Sequence, residues 1–130
     1  MLLEFIGVGE AFDPTSHGLP NYAVKLKSKA VHISFSGDGP LSEASKKLFQ
    51  DCSVLVHEAF GLESAIAGCH TTAREVIGFA NTLPHLKRLA LVHLQKEERE
   101  KKLSDFLALG KEAAYAFYVP SPGSTLPIRS

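Results

Sequence analysis

The spacing of apolar residues changes period part-way along the chain, and this change constrains the fold more than any other feature. Leu2 to Val8 alternates loosely, as a strand does. Asn21 to Lys27 sets Tyr22, Val24 and Leu26 on one face against Ala23, Lys25 and Lys27 on the other. Ala30 to Ser36 continues in the same way, with Val31, Ile33 and Phe35 opposite His32 and Ser34, until Gly37-Asp38-Gly39-Pro40 stops it. From Leu41 onward the pattern alternates between helix and strand.

Leu41 to Gln50 reads as a helix with Leu41, Ala44 and Leu48 inward, and Ser53 to His57 as a short strand. Thr71 to Thr82 is the clearest helix. Ala73, Val76, Ile77, Ala80 and Leu83 recur at helical spacing, and Thr72 to Glu75 has the form of a capping box. Arg88 to His93 is another strand. Gln95 to Leu109 is a charged helix with Leu103, Phe106 and Leu107 inward and Glu97–Lys101 and Glu98–Lys102 pairs outward. The tail after Tyr115 predicts a strand, a Pro/Gly turn and a last short strand. An all-strand first half followed by alternating elements predicts an α/β layered fold of one domain, with a mixed sheet covered by helices.

Composition narrows the setting. The 130 residues carry 14 basic and 14 acidic side chains, so no net charge marks the chain as a nucleic-acid binder. No apolar run approaches the roughly 20 residues that span a bilayer, and the start lacks the basic flank of a signal peptide. Cys52 and Cys69 have no finger or CxxC spacing. They read as free thiols of a cytoplasmic protein that needs no membrane.

Three strand ends carry the chemistry. The first runs into Ser36-Gly37-Asp38, the second into His57-Glu58 and the third into His93. Ligand crevices of open α/β sheets lie beyond the carboxyl ends of the strands, and Asp and His both suit zinc. His70 precedes a helix start, where unpaired N–H groups favour a phosphate oxygen. A lone histidine at a strand end is more often a hydrogen-bonded surface residue; for Asp38 and His93 that balance is reversed by the order of the three ends, which is that of a family the chain resembles. His57 divides evenly between a supporting role at the site and an ordinary satisfied side chain. His32 and His85 read as structural or solvated, Cys69 as a small buried thiol and the KEEREKK run as a solvated helix face. Gly7-Val8-Gly9 lacks the third glycine and the helix of a dinucleotide loop.

The runs ISFSGDGP, DCSVLVHEAF and GCHTTAREVIGFANTLPHLKRLALVHLQ resemble, in that order, the second half of metallo-β-lactamase-fold hydrolases, the RNase Z branch above all. The resemblance covers about Pro20 to His93. It implies half of an αββα sandwich with helices on one sheet face. It also implies that Asp38 bridges two metals, that His93 binds one, and that His70 assists at the scissile phosphate. Glu58 and His57 would support the site by hydrogen bonding. The implied ions are two zincs, with manganese or iron as alternatives, and the implied substrate is a phosphodiester such as an RNA end or a cyclic nucleotide. The H-x-H-x-D-H signature of the superfamily is absent, since no two histidines stand one residue apart. FIGVGEAFDP resembles the family's first strand and loop, which would leave His17 a loop residue. SHGLPNYAVKL resembles a later segment in which His17 is a metal ligand, and this reading is preferred. Asp38, His93 and His17 are too few to close two sites. The expectation is therefore an incomplete hydrolase chain that forms a homo-oligomer or pairs with a missing half. The alternative is a non-catalytic remnant used for binding or assembly.

Overall fold

The computed structural model describes residues 2–7 (backbone), 22–62 and 71–128. His17, Cys69 and His70 lie outside the described residues. The elements run β1 (Leu2–Gly7), β2 (Tyr22–Lys27), β3 (His32–Phe35), α1 (Glu43–Phe49), β4 (Val54–Glu58), α2 (Ala73–Ala80), β5 (Arg88–Val92), α3 (Lys96–Leu109) and β6 (Ala116–Tyr118).

The strands form a six-stranded sheet in sequence order. β1, β2 and β3 make an antiparallel meander, whereas β3 to β6 are parallel neighbours. Each parallel step passes through one helix. Crossovers of one hand, all stepping in one direction, put their helices on one sheet face. Burial agrees: Leu55, Leu89 and Leu91 from the sheet join Phe49, Val76, Ile77 and Phe106 from the helices in one core. Phe49 and Phe106 are fully buried, each contributing roughly 2–3 kcal/mol through removal of apolar surface from water. Register puts Val24, Phe35, Val56, Ala90 and Tyr118 in a row on the opposite face. No helix among the described residues covers that row, and all but Ala90 stay partly exposed.

The mixed α/β architecture and the helix-covered face match the sequence reading. Ser42 caps α1 and Thr72 caps α2, each in a reciprocal capping box with the residue three positions on. Three local expectations hold only in part. In α1 Ser45 and Phe49 are the fully buried residues, while Leu41 and Leu48 of the predicted stripe pack against the core from its edge, partly exposed. In α3 only Phe106 is buried, while Leu103 and Leu107 are 38% and 47% exposed. Lys102 leaves helical geometry at φ −125° and ψ 19°, so the helix is kinked just before this stretch. The tail forms β6 but no further strand among the described residues. No helix among the described residues is long and apolar enough to cross a membrane.

Candidate metal centre

Asp38, Glu58 and His93 meet at the carboxyl ends of β3, β4 and β5. β3 hands over to a turn in which Gly37 adopts φ +66°. A Cβ there would stand 2.6 Å from the Tyr22 carbonyl oxygen, so only glycine can bring the chain this close while aiming Asp38 across the strand ends. The Ser36 hydroxyl accepts the backbone N–H of Glu58 at 2.7 Å, tying the first strand end to the second. The Thr71 N–H then donates to Glu58 Oε1 at 2.8 Å, and the Ala59 N–H donates to the Val92 carbonyl at 2.9 Å.

His93 follows β5 directly and has φ 61°. A left-handed backbone costs a non-glycine residue roughly 1–2 kcal/mol, and such residues concentrate at functional sites. The strained turn brings His93 Nδ1 to 2.6 Å from Asp38 Oδ1 and 4.0 Å from Glu58 Oε2. The Phe60 ring meets the imidazole edge-on, with centroids 6.0 Å apart. Asp38 and His93 are half-exposed, whereas Glu58 is fully buried. Burial pushes the Glu58 carboxyl up to about 8; the Thr71 N–H opposes this and the Asp38 charge reinforces it.

His57 is settled by position. It pairs in register with Leu91 on the helix-covered face and is fully buried. Its Nδ1–H donates to the Glu58 carbonyl at 2.8 Å, and its ring stands T-shaped to Phe49 at 5.8 Å. Burial holds the imidazole down at about 4. It is a neutral core residue that braces the strand beneath Glu58. Two contributors were missed from sequence: the Ser36 hydroxyl and the Thr71 amide. Ser36 stands beside the glycine turn, and Thr71 is the residue before a capping box; neither position alone reveals a contact so distant in sequence.

The donor types fit zinc, a carboxylate oxygen and an imidazole nitrogen at strand ends. Their number does not close a site. Among the described residues no group of three or more His, Cys, Asp or Glu side chains is gathered to hold an ion.

Helices on one face of a mixed sheet, with an apolar row left on the other, make half of the metallo-β-lactamase-type αββα sandwich. The metallo-β-lactamase fold protein YhfI from Bacillus subtilis superposes with a TM-score of 0.72 at 14% identity, over 94% of this chain and 48% of its own. The short form of human tRNase Z gives 0.64 at 19% identity, over 88% and 39%. An isothiocyanate hydrolase from Delia radicum gut bacteria gives 0.64 at 13% identity, over 98% and 55%. The chain thus spans about half the length of these structures. At such identities the likeness defines the fold. No protein-family model matches the sequence, and no curated protein does.

Proposed function

We propose that the chain supplies one side of a metal-dependent hydrolase site of RNase Z type, acting on phosphodiesters such as RNA ends or cyclic nucleotides. The observation that supports this is the convergence of Asp38, Glu58 and His93 on three adjacent strand ends, with His93 Nδ1 2.6 Å from Asp38 Oδ1. Asp38 and His93 would hold zinc, with manganese or iron as alternatives, and the preferred further ligand is His17. A bound ion would lower the pKa of water to about 7 and so supply hydroxide at neutral pH. Glu58, kept protonated near neutrality by burial, holds a proton beside the reacting centre and fixes the Thr71 end of the site. His70 would stand near the leaving group. The remaining ligands would come from a second copy or a complementary half, and the proposed setting is cytoplasmic, with which the buried free thiol of Cys52 is compatible.

The second reading is a non-catalytic binding or assembly module. It is favoured by the close approach of His93 Nδ1 to Asp38 Oδ1, 2.6 Å, which sets the two side chains against each other rather than around an ion. Elemental analysis of metal in chelator-free protein separates the two, together with hydrolysis of a phosphodiester. Bound metal that disappears in both Asp38→Ala and His93→Ala, along with the hydrolysis, supports the hydrolase. Full metal content and activity in either variant sinks it.

A further inference from the structure

The opposite ends of the same parallel strands carry a cleft that the hydrolase reading does not use. It has a volume of about 400 Å³ and is lined by the segments that precede β3, β4 and β5. Lys29 and His32 come from the first, Asp51 and Ser53 from the second, and His85 and Lys87 from the third. The backbone holds these segments together. The Ser53 N–H donates to the His32 carbonyl, and the Lys87 N–H to the Ser53 carbonyl, each at 2.8 Å. The His32 N–H donates to Ser53 Oγ at 3.2 Å. The cleft is therefore preformed.

Its charge is one-sided although the chain as a whole is neutral. Asp51 is the single acidic residue in the lining, and it is committed at its back to a buried ion pair with Lys25. Lys27 lies 3.7 Å from the same carboxylate and His32 Nδ1 3.3 Å. Lys29, His85 and Lys87 are exposed around the mouth. Lysine heads over a fixed concavity suit a phosphate group. Pro84 and Leu86 add an apolar wall, and Asp51 offers an acceptor for hydroxyl donors. The volume falls in the range of small-ligand sites.

We propose that this cleft binds a phosphate monoester about the size of a mononucleotide, with Lys29 and Lys87 taking the phosphate. β5 is five residues long, which separates the cleft from the Asp38–His93 end by about 16 Å. The proposal is independent of any hydrolysis there.

The test is an NMR titration of the full chain with adenosine 5′-monophosphate, adenosine and inorganic phosphate. Adenosine 5′-monophosphate is expected to shift the amides of His32, Ser53, His85 and Lys87, phosphate to compete with it, and adenosine to leave them unmoved. The double variant Lys29→Ala/Lys87→Ala should weaken binding on the order of tenfold or more, and Lys29→Arg/Lys87→Arg should restore it. Asp38→Ala should leave it unchanged. Shifts centred on Asp38 and His93, adenosine binding as tightly as its monophosphate, undiminished binding in the alanine double variant, or no shifts at all would each overturn the assignment.

Discussion

His93 carries two burdens that oppose each other. Its backbone sits at φ 61°, a cost that any residue with a Cβ meets there, while its ring lies against Asp38 and the edge of Phe60. Asparagine tolerates the left-handed region far better than most residues. His93→Asn should therefore leave the unfolding free energy in urea unchanged or raise it by up to about 1 kcal/mol, while removing any metal binding or hydrolysis that the proposed site supports. A large loss of stability would mean that the contacts of the His93 ring, not the site, are what hold this conformation. His57 gives a second test, in pH. Burial depresses it to about 4 from 6.5, so the folded chain keeps it neutral while the unfolded chain takes up a proton. Stability from this group is present above pH 6.5 and is lost as pH falls through 4. For a shift of that size in a fully buried ring the loss is roughly 3 kcal/mol. Urea unfolding of the parent and of His57→Leu between pH 4 and 7 checks it. The gap between them should narrow toward acid, and a gap independent of pH would refute the assignment.

At the scale of the element, α2 is the best-specified helix. The Thr72 side chain accepts the Glu75 N–H at 3.2 Å, and Glu75 returns the bond to the Thr72 N–H at 3.3 Å. Thr72→Ala should cost about 1 kcal/mol in denaturant unfolding. It should also lower any activity, because Thr71, one residue before the cap, holds Glu58. A variant that unfolds like the parent would show the cap to be redundant. The elements legible in the sequence are those whose local signals agree: α2 with its cap and apolar stripe, and β4 and β5 as compact apolar runs. The failures have physical causes. In α3 only Phe106 of the predicted stripe is buried, and the kink at Lys102 leaves no trace in composition. Lys25 is charged yet only 5% exposed beneath the helices, because Asp51, distant in sequence, pairs with it. At the site, Asp38, Glu58 and His93 were readable from strand ends. The Ser36 and Thr71 bonds that position Glu58 were not, since they depend on tertiary proximity alone.

For the whole molecule, the two faces of the sheet pose different problems. The helix-covered face is closed, with Leu55, Leu89 and Leu91 fully buried. The other presents Val24, Leu26, Ile33, Phe35 and Val56, each only partly covered. A contiguous apolar surface beyond a few hundred Å² is characteristic of an interface, and a formal net charge of zero sets up no long-range repulsion between copies. Either a complementary half of the sandwich or a second copy could cover it; for a second copy the packing would be sheet on sheet about a two-fold axis. Such symmetry magnifies a single substitution. Phe35→Glu would place one carboxylate from each copy in the shared layer, and burying unpaired charge there costs at least several kcal/mol. In a separated chain the same carboxylate remains near water at much lower cost. Sedimentation equilibrium should give the parent a mass above that of one 14.1 kDa chain and give Phe35→Glu the mass of one, with the circular dichroism of the two unchanged. A parent that sediments as a single chain at tens of micromolar would leave self-association without support. An oligomer untouched by Phe35→Glu would place the contact elsewhere, with the exposed Leu103 and Leu107 of α3 as the next surface to substitute.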